Sequence, residues 1–132
     1  MAIKELLGIM PFDKDAEHTY TPKAFRELDV KYQAIFTLKS LSVSDRTELK
    51  KRMKTATEES TQKGYAILRK YVINWKNIID AGTEEPIEYE ADDNGYCSPK
   101  LWSIIPELVK VDLLKEVLFI SGLLDKDKLG LD

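Results

Sequence analysis

Apolar positions recur along this chain with two different periods, and the strongest recurrence runs from Leu68 to Asp80, LRKYVINWKNIID. Leu68, Tyr71, Val72, Trp75, Ile78 and Ile79 keep the i, i+3, i+4 spacing of one helix face, with Arg69, Lys70, Asn74, Lys76 and Asn77 mostly elsewhere. The spacing predicts a helix over residues 62–80, closed by Asp80-Ala81-Gly82 with Gly82 as a left-handed cap. Trp75 lies on that stripe, where the area a Trp buries favours core packing over a ligand role. Upstream, Ser42 followed by Asp45 forms a capping-box variant, with Ser44 the competing cap. Asp45 and Glu48 place negative charge where the helix macrodipole favours it. A helix over residues 43–58 follows; its apolar positions are Leu49, Met53 and Ala56, so it lies on the outside of the domain. Gly64, costly inside a helix, marks a break near residues 60–64.

Residues 23–41 satisfy both periods. Phe25, Leu28, Tyr32 and Ile35 fit a helix; Val30, Tyr32, Ala34, Phe36 and Leu38 alternate as in a strand. The aromatic and β-branched content from Tyr32 to Leu38 favours a strand over residues 32–38. Ahead of it, residues 1–19 read as a partly flexible N-terminal segment, and the polar run up to Pro22 as a loop. Residues 83–98 form a long acidic connection, in which the alternation of Ile87, Tyr89 and Ala91 predicts a second short strand over 86–91. Asn94-Gly95 is a turn dipeptide. Ser98-Pro99 opens a short helical turn through Leu101, Trp102, Ile104 and Ile105, and Pro106 starts a helix over residues 107–123. Apolar residues wrap this last helix beyond one face, so either it is enclosed or part of it is exposed for a partner. Residues 125–132 read as a frayed tail. The expected fold is a single α+β domain over residues 1–132, mainly α, with about three principal helices and a small strand or hairpin.

Composition narrows the functional classes. With 132 residues, 43% apolar and 33% charged, the chain has the make-up of one globular core. A net charge of −3 argues against a general nucleic-acid binder, whose surface must neutralise phosphates. Cys97, the single cysteine, cannot form an intramolecular disulfide. Apolar runs fall short of the roughly 18 residues of a membrane span, and the N-terminus, with Lys4 and then Glu5, makes a poor signal peptide. A reducing cytoplasm is the default compartment.

Candidate chemistry is sparse. The single histidine, His18, reads as solvated in a polar loop, and Cys97 as a small half-buried residue. Neither carries the surroundings of a Cys–His nucleophile. Glu90-Ala91-Asp92-Asp93-Asn94-Gly95 resembles the opening of a calcium loop, but the closing position holds Leu101 instead of Glu, and Pro99 intrudes. An acidic turn held by Asn-Gly accounts for it better. Zinc spacing and a glycine-rich phosphate loop are both missing, so no cofactor and no small-molecule substrate is expected. Lys50, Lys51, Arg52 and Lys54 read as a solvated helix face.

Two stretches resemble small bacteriophage and prophage tail proteins of the tail-assembly-chaperone type. The first is Tyr20-Thr21-Pro22-Lys23 with Arg26 and Leu28, followed by Gln33, Phe36, Leu38, Leu41 and Ser42. The second is Trp75-Lys76-Asn77 with Asp80 and Gly82, Pro86-Ile87 and Tyr89, then Ile105-Pro106, Leu113 and Ile120-Ser121-Gly122-Leu123. Their order and spacing carry the resemblance, which covers most of residues 20–124; the loop between Gly82 and Pro99 is longer and more acidic than the family pattern. The resemblance implies a non-enzymatic assembly factor in the bacterial host cytoplasm that binds the tail tape-measure protein or other tail proteins. The over-wide apolar segment then becomes the expected contact, through Trp102, Leu114, Leu118, Phe119, Ile120 and Leu124. The competing expectations are a structural subunit of the tail or head–tail junction, which would self-associate, and a regulatory or antitoxin-like bacterial adaptor.

Overall fold

The computed structural model describes residues 17–52, 54 and 57–122. Over these residues the chain is an α+β domain with a three-stranded antiparallel sheet: β1 (Glu17–Tyr20), β2 (Ile35–Lys39) and β3 (Val72–Lys76), in the spatial order β1-β2-β3. Four helices accompany it: α1 (Val43–Arg52), α2 (Glu58–Leu68), α3 (Pro99–Ile104) and α4 (Glu107–Ile120). Short 3-10 turns occupy Lys23–Phe25, Val30–Tyr32 and Arg69–Tyr71. α2 packs against both α1 and α4, and α4 also reaches β2.

β2 lies close to the expected strand and is central. Its inward positions, Phe36 and Leu38, are fully buried; Phe36 sits opposite Tyr20 on one side and Trp75 on the other. The helix expected over residues 62–80 is corrected. It ends at Leu68, and Val72–Lys76 is the third strand. The reason is visible in the pairing. Leu38 faces Val72 while Thr37 faces Asn74, a register shift that leaves Ile73 as the extra residue of a β-bulge. The bulge turns Val72 and Trp75 to the same side although they are three positions apart, and both are buried. A bulged strand thereby acquires the spacing of a helix face.

The break between the first two helices is also displaced. Asp45 N–H donates to Ser42 Oγ at 3.2 Å, as a capping box requires, but α1 stops at Arg52. α2 is capped by Thr57, whose side chain accepts from Ser60 N–H at 3.2 Å, with Glu58 and Glu59 in the first turn. Gly64 is interior to α2 and buried against Leu49.

Residues 86–91 form no strand. Ile87 N–H donates to Ile78 O at 2.7 Å, and single bridges join Ile79 to Pro86 and Ala91 to Cys97. Asn94-Gly95 does form the expected turn, with Gly95 at φ 81° and its N–H on Asp92 O. β1 replaces part of the expected loop. It is fastened to α4 by side chains one helical turn apart: His18 Nε2 lies 2.7 Å from Glu116 Oε2, and Tyr20 donates its hydroxyl to Asp112 Oδ1 at 2.6 Å. The frayed tail expected over 125–132, and most of the N-terminal segment 1–19, lie outside the described residues.

Candidate functional site

Proline geometry opens one side of an apolar groove. Pro106 forces Ile105 into an extended conformation, which ends α3 and starts α4 in a new direction. Ile105 is buried by the change, while Ile104 is left 46% exposed. The opposite wall is the segment between β1 and β2, where Phe25, Leu28 and Tyr32 project from two 3-10 turns. Gln33 holds that wall: its Nε2 donates to the carbonyls of Arg26 and Leu28, at 3.1 and 2.8 Å. Asn77 adopts φ 62°, a left-handed conformation that Asn tolerates, and its Nδ2 donates to Gln33 O at 3.3 Å. The chain after β3 is thereby led along the third wall, through Ile78, Ile79, Asp80 and Glu84.

The resulting groove has a volume of about 710 Å³. Leu28, Tyr32 and Ile104 remain accessible on its walls, and Phe36 closes its floor. Across Val109 lies a second recess of about 370 Å³, beside which Leu108 is 73% exposed. Apart from Val43 at the start of α1, the large exposed apolar side chains of the described residues lie within residues 28–32 and 104–108.

That placement differs from the expected contact. Trp102 and Leu118 are buried core residues, and Leu114 and Ile120 are partly buried against the same core. Phe119 is half-buried, and Leu124 lies outside the described residues. α4 is enclosed through Val109, Leu113, Val117 and Leu118, and its largely exposed apolar residue, Leu108, is near its start. Leu28, Val30 and Tyr32 were not expected as contacts, because residues 23–38 fit two periods and neither identifies the outward face; Ile104 was read only as part of the short helical turn before Pro106.

The residues that carry the family resemblance mostly hold the fold. Trp75 Nε1 donates to Ile87 O at 2.8 Å, Asp80 Oδ1 accepts from Gly82 N–H at 2.7 Å, and buried Ser121 accepts from Leu41 N–H at 2.8 Å. Arg26 donates to Thr21 O and lies over the Tyr20 ring.

The two groups first considered for catalysis have structural surroundings. His18 is paired with the buried Glu116 and is not simply solvated. Cys97 is fully buried, and burial pushes its thiol up to about 11, leaving it protonated at neutral pH and a poor nucleophile. The folded thiol holds its proton more tightly than an unfolded one. Its stabilising contribution is therefore complete below the ordinary thiol range and is lost as pH rises through about 11. A thiol-alkylating reagent at neutral pH is expected to leave Cys97 intact in the native protein and to modify it in denaturant, as read by intact mass. Fast labelling of the native chain would contradict this burial.

The acidic turn after residue 90 is closed by its own groups. Asp92 Oδ1 accepts from the N–H groups of Asn94 and Tyr96, and Oδ2 pairs with Arg69 Nη1 at 2.9 Å. The Arg69 hydrogen bond holds the Asp92 carboxyl below the usual range. Among the described residues no cluster of His, Cys, Asp and Glu is arranged to hold a metal, and no helix is long and apolar enough to cross a membrane. No protein-family model, curated protein or solved structure matches the chain.

Proposed function

We propose that this protein is a non-enzymatic bacteriophage or prophage tail-assembly factor, a chaperone-like partner of the tape-measure protein acting in the bacterial host cytoplasm. The observation that carries the reading is the open apolar groove of about 710 Å³ between residues 25–32 and the α3–α4 junction. An exposed apolar recess on a charged domain suits a factor that shields apolar segments of a client. The motif resemblance across residues 20–124 supports the tape-measure protein as the client. Within and beyond the expected 102–124 surface, the contact moves from Trp102, Leu114, Leu118, Phe119, Ile120 and Leu124 to Leu28, Tyr32, Ile104 and Leu108, accessible apolar side chains at the groove and the adjoining recess.

Co-expression with the tape-measure protein of the same phage or prophage tests this. The expected result is a soluble complex that co-elutes in size-exclusion chromatography. The Leu28→Asp/Ile104→Asp variant should weaken it by about 100-fold or more, since buried hot-spot residues contribute about 2 kcal/mol or more each. Its thermal midpoint should match the parent's, because both side chains are half exposed in the free protein. A tape-measure protein that stays insoluble, or a purified chain that assembles into rings, overturns the reading, the latter in favour of a structural subunit.

A further inference from the structure

The acidic charge of this protein is concentrated in the connection after β3, the first part of which borders the groove. Residues 77–99 contain seven carboxylates (Asp80, Glu84, Glu85, Glu88, Glu90, Asp92 and Asp93) and no Lys or Arg. The chain has 23 acidic and 20 basic residues in all, so outside this stretch 16 acidic face 20 basic ones, a net +4 against −7 within it. Among the described residues, Asp92 is the member of the stretch that is held in an ion pair, with Arg69. Asp80 and Glu84, the charged residues that line the groove, are both exposed carboxylates. The apolar walls thus meet a one-signed rim.

We infer that the groove takes an amphipathic polypeptide segment whose apolar stripe is flanked by Lys or Arg on the side facing residues 80–85. This rests on the proposed function and specifies the chemistry of the client segment. Apolar anchors would fill the space between Leu28, Tyr32 and Ile104, while the basic flank meets Asp80, Glu84 and Glu85. Complementary charge at a rim raises the association rate and fixes orientation, whereas an acidic flank meets like charge and is rejected. Glu84 is well placed for this, since its φ of 59° bends the chain at the groove wall. A second copy of this chain is the other occupant with basic residues to offer, on the Lys50-Lys51-Arg52 face of α1.

Two synthetic amphipathic peptides test the inference against the full chain by fluorescence anisotropy. They share one leucine stripe at helical spacing; one has lysine flanks and the other glutamate flanks. The lysine peptide is expected to bind at least about tenfold tighter at low salt, and that advantage should shrink as salt shortens the screening length to about 3 Å near 1 M. Glu84→Lys/Glu85→Lys should reverse the preference. Asp93→Lys, which alters charge in the same loop away from the groove, should leave it standing. Asp80 is kept, because its carboxylate closes the turn onto Gly82.

Equal binding of the two peptides, binding of neither, or reversal by Asp93→Lys as readily as by Glu84→Lys/Glu85→Lys overturns the inference. So does a dimer of the free chain that is lost in Glu84→Lys/Glu85→Lys, which assigns the groove to a second copy. The inference and the function separate in the tape-measure experiment. A tape-measure complex indifferent to Glu84→Lys/Glu85→Lys keeps the function and removes the basic client. Selective lysine-peptide binding without a tape-measure complex does the reverse.

Discussion

Trp75→Ala is expected to destabilise the domain by about 3–5 kcal/mol, a large share of the roughly 5–15 kcal/mol that holds a domain folded. The indole is 4% exposed and makes edge contacts to two aromatic rings, Phe36 at 6.1 Å and Tyr89 at 5.2 Å. Its Nε1–H also donates to Ile87 O at 2.8 Å. One side chain therefore joins the sheet to the connection that borders the groove. Truncation leaves a cavity and removes a donor from a carbonyl that has been taken partly out of water. Trp75→Phe keeps a ring against Phe36 and Tyr89 and should recover much of the loss. Urea unfolding followed by far-UV circular dichroism measures both variants. A loss below about 1 kcal/mol for Trp75→Ala would be incompatible with a core cavity.

Asp112→Ala should cost about 2–3 kcal/mol, the scale of hydrogen bonds to a charged group. Its two oxygens accept from Tyr20 Oη at 2.6 Å and from Lys23 N–H at 2.7 Å, so one carboxylate secures both the end of β1 and the turn that follows it. Burial first, and then Asp112, push the Tyr20 phenol above its ordinary range, which keeps it protonated and donating. That contribution is lost only under strongly alkaline conditions, because a raised phenol pKa favours the folded state until the folded group itself ionises. Asp112→Asn retains a carbonyl acceptor and should lose less. Hydrogen exchange supplies the local readout: the β1 amides should exchange faster in Asp112→Ala, while those of α2 change only by the global loss. Uniform exchange across the domain would mean that β1 does not depend on this carboxylate.

Both residues belong to a framework that positions the groove without lining most of it. Trp75 tethers the 83–98 connection, Gln33 and Asn77 hold the wall at residues 26–33, and Ser121 ties Leu41 to the end of α4. The resemblance motifs contribute heavily to this framework. The surface available to a partner is set by what the fold leaves uncovered.

Short-range chemistry was legible in the sequence. Ser42 with Asp45, the Asn94-Gly95 turn and the proline at the start of α4 all act through neighbours a few residues away. The strand around Phe36 and Leu38 was legible because alternation and β-branched content agreed there. Three features depended on distant partners. Val72–Lys76 became a strand because β2 was available to pair with it, and its bulge reproduced the spacing of a helix stripe. Glu17–Tyr20 became a strand because Asp112 and Glu116, more than 90 residues away, receive its side chains. Leu28, Tyr32 and Ile104 became a groove because nothing in the described domain closes over them. Short-range residue chemistry determined the caps and the turns and, with local periodicity, the broad α+β class. Tertiary structure alone decided which apolar residues were buried and which were left open, since burial is a property of the whole packed chain and not of any window along it.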